Sequence, residues 1–215
     1  MTAARVILGS RSPRRYELLS LLVSPESIDV WPPRSSDELG FEGLASWLEI
    51  AQRLQRIARE KNEDVIAQLP PSSGDVQLVL TADTIIVAQD ADAHWRVLGQ
   101  PPQDDSWRDI VAGWFRDLYA GRSHITATAV CLIERRTGRR LERIVQSHVW
   151  FREDVEPLLD WYLATEEPLG KAGGYALQGL ASIFVTRVEG SLSNVVGLPL
   201  EALVAMLPQL GWPLN

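Results

Sequence analysis

Hydrophobic positions recur along the chain with two alternating spacings, one typical of strands and the other of amphipathic helices. Strand-like runs lie at 5–8, 27–31, 76–88, 95–99, 124–134, 142–151 and 181–190. Helix-like runs, with apolar residues three and four positions apart, lie at 14–22, 44–67, 104–121, 154–165 and 199–210. This succession predicts an α+β or mixed α/β protein with helices on both faces of a mixed sheet. The two long runs 124–134 and 142–151 predict an antiparallel pair with one buried face, which forms a second lobe.

The first helix-like run begins with an unusual distribution of charge. Ser12 and Pro13 predict the helix start, because a capping hydroxyl is followed by proline at the first helical position. Arg14 and Arg15 then fall in the first turn, where the positive end of the helix dipole disfavours cations. The buried side of this helix is expected to carry four leucines: Leu18, Leu19, Leu21 and Leu22.

An anion bound at this helix start would explain the two arginines. Free backbone N–H groups at a helix N-terminus favour anions. Ser10 and Ser12 add hydroxyl donors, and Arg14 and Arg15 add planar guanidinium groups suited to phosphate oxygens. The alternative is that both arginines point into solvent, screened by salt and partly offset by nearby glutamates.

Composition narrows the classes of function. Of the 215 residues, 46% are hydrophobic and 23% are charged, as in ordinary globular proteins. The formal net charge of −7 argues against a nucleic-acid-binding protein, although it allows a local basic pocket. Cys131 is the single cysteine, which excludes an internal disulfide. No apolar run resembles a signal peptide or reaches the ~20 residues of a membrane span, so we expect a soluble cytoplasmic protein that does not bind membranes.

Asp83 interrupts the apolar run 76–88 and raises a second question. Burying an unpaired carboxylate costs much free energy, so this residue must be satisfied in some way. It is a bulge or turn residue held by backbone N–H groups, or an exposed hairpin residue. Alternatively, it faces a cleft, where it binds a divalent cation or activates water. The arginine pair favours the second interpretation. Other polar residues carry no assignment on their own: Asp37, Glu38, Lys61, Gln178 and Asn194.

Several short motifs follow one another in a recognisable order. They are "SRSPRRYELL" at 10–19, "DE" at 37–38, "RIAREK" at 56–61, "ADT" at 82–84, "AGRSHITAT" at 120–128, "EPLGKAGGYALQG" at 167–179 and "NVVGLPL" at 194–200. Together they resemble the Maf-like family of nucleoside triphosphate pyrophosphatases, and the resemblance extends over nearly the whole chain.

The resemblance implies a single domain over residues 1–215 with a two-lobed α/β fold similar to that of inosine triphosphate pyrophosphatases. It implies a mixed sheet flanked by helices, with an antiparallel second lobe. It also implies cleavage of nucleoside triphosphates between the α- and β-phosphates, dependent on Mg²⁺ or Mn²⁺. The nucleoside triphosphate is then the expected partner, and a homodimer is consistent with the family.

Matching positions imply roles for individual residues. Asp83 looks like the catalytic base or the activator of a metal-assisted water. Glu38 looks like a metal ligand together with Asp83, while Lys61, Arg15 and Ser10 look like phosphate-binding groups. We therefore expect a metal held by two carboxylates beside a cationic phosphate site.

Base preference is implied by three further positions. Arg14, Thr84 and Gln178 match positions that distinguish the subgroups of the family. Arginine and glutamine there resemble the branch that acts on dTTP, UTP and related pyrimidine nucleotides. The branch that acts on 7-methyl-GTP usually has tryptophan at the first position and glutamate at the last.

One position departs from the family pattern. Gln100 in "LGQP" stands where a lysine is expected near the phosphates, so a neutral amide replaces a charge. Lys171 or Arg122 are candidates to compensate. Two alternatives follow: the same chemistry on 7-methyl-GTP or another modified base, and a non-catalytic nucleotide-binding regulator of cell division.

Overall fold

The computed structural model describes residues 4–34, 40–70 and 77–214. Within them, seven strands form one mixed sheet in the order β2-β1-β3-β5-β6-β7, and β4 also pairs with β3. The strands are β1 (Arg5–Leu8), β2 (Ile28–Val30), β3 (Gln77–Gln89), β4 (Trp95–Leu98), β5 (Ser123–Glu134), β6 (Arg139–Phe151) and β7 (Val185–Gly190). The predicted mixed α/β class is confirmed.

Six α-helices flank the sheet in the described part of the chain. They are α1 (Pro13–Leu19), α2 (Trp47–Gln68), α3 (Trp107–Gly113), α4 (Glu156–Ala164), α5 (Leu192–Val196) and α6 (Leu200–Met206). Helix α3 continues as a π-helical turn over Trp114–Tyr119, which the sequence pattern did not predict. Helices in these described ranges are each too short or too polar to cross a lipid bilayer.

Strand β3 carries two neighbours on one of its edges. Parallel β1 pairs with residues 77–80 and antiparallel β4 pairs with residues 86–89, while β5 follows the other edge. Among the described strands, none lies beside residues 81–85 on the first edge. This gap between β1 and β4 opens onto a cleft, which Ala82, Asp83, Thr84 and Ile85 of β3 line.

Two hydrophobic cores make the two lobes. Side chains alternate between the faces of a strand, and the even-numbered residues of β3 serve both cores. Leu78 and Leu80 pack with residues of α1 and α6 in the first lobe. Ile86 and Ala88 pack with α3, α4 and a group of aromatic rings in the second. The predicted two-lobed arrangement is therefore confirmed.

Helix α2 covers the opposite face of the sheet. A capping box, in which Ser46 and Glu49 bond to each other's backbone N–H groups, starts this helix. Its apolar side chains, such as Leu54 and Ala58, pack against β3 and β5. As a result β5 is buried on both faces from residue 124 to 134. The expectation of a single buried face is wrong for this strand, because it lies in the middle of the sheet between two helical layers.

Helix α1 is shorter than the leucine pattern predicts. It begins at Pro13 as predicted but ends at Leu19, and the chain then turns through bonds from Leu21 N to Leu18 O and from Leu22 N to Leu19 O. The turn carries Leu21 outward, where it is 72% exposed. The prediction that Leu21 faces the core is therefore wrong.

His124, near the start of β5, is buried among the aromatic rings of the second lobe. Its ring centroid lies 4.3 Å from that of Tyr119 and 5.1 Å from that of Phe151. Its Nε2 shares a hydrogen bond of 2.6 Å with Tyr175 Oη. Burial, reinforced by nearby His148, lowers the pKa of His124 to about 3, so the folded protein holds this ring neutral.

We expect the buried His124 to make the fold sensitive to mild acid. In the unfolded chain a histidine binds a proton below about pH 6.5. In the folded protein His124 stays neutral down to about pH 3. This contribution to stability is complete above pH 6.5 and is lost as the pH falls. At pH 5 this group should lower the free energy of unfolding by about 2 kcal/mol relative to pH 7. Urea unfolding at pH 7 and pH 5 measures it.

The His124→Gln variant isolates this effect from the titration of other groups. We expect its loss of stability between pH 7 and pH 5 to be smaller than that of the wild type. His94→Asn, which replaces an exposed histidine in the β3–β4 turn, serves as the control and should retain the full loss. An equal loss in all three proteins would contradict the neutral, buried state of His124.

Candidate active site

The start of α1 forms one wall of the cleft. Ser12 caps the helix, and its hydroxyl accepts a hydrogen bond from the backbone N–H of Arg15 at 3.4 Å. The buried hydroxyl of Ser10 accepts one from Ser12 N at 3.1 Å. These bonds hold the "SRSP" turn in one conformation. The two arginines that follow it, Arg14 and Arg15, line the cleft.

Arg15 lies in the wall of the cleft and not in solvent. Its Nε donates to Gly197 O at 2.9 Å, its Nη2 to Thr84 Oγ1 at 3.0 Å, and its Nη1 to Ser10 Oγ at 3.3 Å. The guanidinium group thus joins α1 to β3 and to the turn that follows α5. Half-buried Arg14 lies beside it and also lines the cleft.

A buried polar network continues from Arg15 across the sheet. Thr84 Oγ1 and Thr128 Oγ1 are 2.9 Å apart, and Thr128 Oγ1 bonds to the carbonyl of Asn194 at 3.5 Å. The Asn194 amide in turn donates to Thr126 O and to Ser147 Oγ, both at 3.0 Å. The network separates the two hydrophobic cores. Thr128 was not among the predicted site residues, although the polar alternation in "TAT" of an otherwise apolar strand pointed to it.

Asp83 and Lys61 meet on the other face of β3. Lys61 projects from α2, and its Nζ donates to Asp83 Oδ1 at 2.5 Å. The two side chains are only 17% and 11% exposed. The pairing of β3 with β5 continues without a shift through Asp83, which lies opposite Ala129. The alternative of a bulge or turn at Asp83 is therefore wrong, and the carboxylate is satisfied by an ammonium group instead.

The start of α1, Lys61, Asp83 and Thr84 line one cleft of about 1850 Å³ between the lobes. Typical small-molecule sites occupy about 300–1,000 Å³, so the cleft has room for a nucleotide with its phosphates. The structure brings together every predicted site residue that it describes: Ser10, Ser12, Arg14, Arg15, Lys61, Asp83, Thr84, Gln100, Lys171 and Gln178. Asp37 and Glu38, the predicted acidic pair, lie outside the described residues.

Cationic side chains line both walls of the cleft in a protein of negative net charge, and carboxylates such as Asp90, Asp109 and Asp117 line it as well. Arg14 and Arg15 come from the first lobe, Lys61 from α2 and Lys171 from the second lobe. Burial lowers the pKa of Lys171; nearby Glu167 opposes this shift and Arg14 adds to it. The influence of Arg14 on Lys171 is a repulsion between two cations on opposite walls. An anion between them would relieve this repulsion, as a polyphosphate does.

The carboxylate of Asp83 is suited to a divalent cation. Carboxylate oxygens are the ligands that Mg²⁺ prefers, and only Oδ1 of Asp83 is bonded by Lys61. A second group of donors, Asp90, Asp92 and His94, could also hold an ion. Asp90, however, already accepts hydrogen bonds from the backbone of Asp92 and His94. These bonds close the β3–β4 turn, so Asp83 fits the role better.

The one cysteine takes no part in this cleft. Cys131 is buried beneath α2, and burial raises the pKa of its thiol to about 12. A thiol with such a pKa is a poor nucleophile at neutral pH. The cleft therefore offers a carboxylate, hydroxyls and cations as its reactive groups.

Comparison with known proteins agrees with this geometry. A family model described as Maf-like protein matches residues 5–210. A dTTP/UTP pyrophosphatase of Syntrophus aciditrophicus is 38% identical over 212 residues, covering 98% of this chain and 92% of the relative. Another from Anaeromyxobacter sp. is 37% identical over 216 residues, covering 99% and 92%. Among solved structures, a nucleoside-triphosphatase (dITP/XTP pyrophosphatase) of Mycobacterium abscessus aligns over 96% of this chain and 99% of its own, with a TM-score of 0.42 and 17% identity. Because the family model and these two sequence relatives span nearly its whole length, the chain belongs to the family of Maf-like proteins.

Proposed function

We propose that this protein is a nucleoside triphosphate pyrophosphatase that converts dTTP and UTP to the monophosphate and pyrophosphate, with residues 1–215 acting as one domain. One observation carries the proposal: a nearly buried carboxylate, Asp83, lies at the gap in the sheet inside a cleft lined by cations. The names of the two relatives, both dTTP/UTP pyrophosphatases, support the choice of substrate.

The cations hold the triphosphate in this proposal. Arg15 binds phosphate oxygens at the tip of α1, where the helix dipole adds to its charge. Three of the Arg15 hydrogen bonds fix its position before substrate arrives. Ser10 and Ser12 support the same turn. Because fixed donors need no reorganisation, they stabilise the charge that develops on the leaving pyrophosphate.

Asp83 serves as the base for water. A water molecule attacks the α-phosphorus and its proton passes to Asp83. The bond from the α-phosphorus to the α–β bridging oxygen breaks, so pyrophosphate leaves with that oxygen and the monophosphate keeps the oxygen of the water. Lys61 orients the carboxylate through its 2.5 Å hydrogen bond. With Asp83 as the base, the step involves no covalent intermediate with the protein.

Asp83 and Glu38 would hold Mg²⁺ or Mn²⁺ in this proposal. A cation bound there neutralises charge on the phosphate oxygens. Lys171 on the opposite wall supplies the positive charge that Gln100 lacks, and Gln100 retains its amide as a hydrogen-bond donor.

Base recognition falls to the groups at the mouth of the cleft. The Gln178 amide is exposed in the cleft and offers one donor and one acceptor side by side. Thymine and uracil present a matching acceptor and donor. Arg14 lies on the facing wall, whereas the Thr84 hydroxyl is already bonded within the polar network. We therefore propose that Gln178 and Arg14 read the base and that Thr84 supports Arg15.

A panel of nucleotides with Mg²⁺ tests the function. We expect pyrophosphate release from dTTP and UTP with kcat/KM at least about tenfold above that for dCTP and 7-methyl-GTP. Greater activity on 7-methyl-GTP would instead support the modified-base alternative. Binding of dTTP without any release of pyrophosphate would support a non-catalytic regulator.

A further inference from the structure

The glycine-rich loop at 171–178, here called the base loop, is held from below by the aromatic core of the second lobe. Tyr119 Oη donates to the carbonyl of Gly173 at 2.9 Å, and Tyr162 Oη donates to that of Gly174 at 3.0 Å. Tyr175, within the loop, turns inward and shares its 2.6 Å hydrogen bond with His124. Three buried aromatic hydroxyls thus anchor three consecutive residues of one loop.

The same loop is tied at its edge and beyond its end. Gly173 N donates to the carbonyl of Gly99 at 2.9 Å, beside Gln100. The carboxylate of Glu167 accepts a hydrogen bond from the backbone N–H of Leu180 at 2.8 Å and closes the loop on itself. Such a loop has few alternative conformations.

Tyr175 differs from the other two anchors because it belongs to the loop itself. Its ring is nearly buried and lies 5.1 Å from Phe151 between centroids. Three residues later, Gln178 is exposed in the cleft. The inward bond of Tyr175 therefore anchors one end of the short backbone segment that carries Gln178.

We propose that Tyr175 is a positioning residue for base selectivity, and that its hydrogen bond to His124 holds the Gln178 amide where it discriminates thymine and uracil from cytosine. This inference rests on the proposed function. Thymine and uracil present the O4 acceptor beside the N3 donor, while cytosine presents a donor and an acceptor in the reverse order. A glutamine amide offers both a donor and an acceptor, so its selectivity depends on how the loop places it against the edge of the base.

The Tyr175→Phe variant removes the hydroxyl and keeps the ring. We expect KM for dTTP to rise about tenfold and the preference for dTTP over dCTP to fall about tenfold, the value of one well-placed hydrogen bond. We expect kcat for dTTP to stay within about twofold, because Asp83 and Lys61 are unaffected. A merely structural role would lower kcat, or the amount of folded enzyme, equally for both nucleotides.

A double-mutant cycle with Gln178→Ala tests whether Tyr175 affects the preference for dTTP over dCTP through Gln178. If Tyr175 acts through Gln178, Tyr175→Phe should cause no further loss of preference in the Gln178→Ala background. Ile28→Val, a conservative change in the core of the first lobe, is the control for lost stability and should leave the preference intact. Additive losses in the double variant, or an unchanged preference in Tyr175→Phe, would overturn the inference.

Binding separates this inference from the proposed function. Dissociation constants for the non-hydrolysable α,β-imido analogues of dTTP and dCTP are measured with wild type and Tyr175→Phe. The dissociation constant for the dCTP analogue divided by that for the dTTP analogue should be smaller in Tyr175→Phe than in the wild type. This result supports the role of Tyr175 even if the wild type releases no pyrophosphate, in which case only the proposed function fails. An unchanged ratio overturns the role of Tyr175 while leaving an active wild type as a pyrophosphatase.

Discussion

Replacing Asp83 by asparagine lowers kcat for dTTP about a thousandfold in our first prediction, because general-base catalysis by a positioned carboxylate contributes roughly that factor. Asparagine keeps the size of the side chain but accepts no proton from water at neutral pH. Release of pyrophosphate under saturating dTTP and Mg²⁺ measures the loss.

Stability must be separated from catalysis in this experiment. Asparagine removes the negative charge beside Lys61, and the loss of a charged hydrogen bond costs about 2 kcal/mol of stability. Urea unfolding and the rate assay on the same samples distinguish the two effects.

Asp90→Asn is the matched control for Asp83→Asn. Asp90 is also a carboxylate beside the cleft, but its oxygens are bonded within the β3–β4 turn. We expect its kcat to remain within about twofold of the wild type. A large loss in Asp90→Asn with little loss in Asp83→Asn would move the catalytic centre to the β3–β4 turn and contradict our assignment.

The second large effect is expected on stability, from Gly173→Ala. Gly173 has a φ of +67°, and a Cβ there would lie 2.5 Å from Tyr119 Oη and 2.7 Å from Ile86 Cγ1. The backbone strain of a left-handed residue costs about 1 kcal/mol, and overpacking of a filled core adds about 1–3 kcal/mol. We expect the free energy of unfolding to fall by about 3 kcal/mol in urea titrations.

Gly138→Ala separates the two contributions. Gly138 has a similar φ of +70°, in the turn between β5 and β6, but no atom lies within 4 Å of its ideal Cβ. This variant should therefore lose only the strain, about 1 kcal/mol. Equal losses in Gly138→Ala and Gly173→Ala would show that the base loop yields to the methyl group, against the close packing that we describe.

The order of the elements could be predicted from sequence because it depends on local patterns. The strand at 76–88 and the helix at 44–67 differ from β3 and α2 by at most three residues at either end. The start of α1 at Pro13 was also correct, since a cap and a proline act within one turn. The error at Leu21 has the same origin: periodicity continues past the residue where the backbone turns.

The candidate site was predicted through motifs, and its roles remain predictions. The motifs named the residues that line the cleft, but not the contacts that they make. Lys61 and Asp83 are 22 positions apart, and Arg15 and Gly197 are 182 positions apart. Their meeting depends on strand register and helix packing, which no local pattern contains.

The sequence by itself determined the family, the succession of strands and helices, and the set of polar residues available for chemistry, because each is written in short-range patterns. Only the tertiary structure decided that no described strand lies beside residues 81–85 of β3 on that edge, that Arg15 is bonded inside the cleft wall, and that His124 and Tyr175 meet under the base loop. Long-range pairing and burial settle these features, since both depend on the whole chain packing at once.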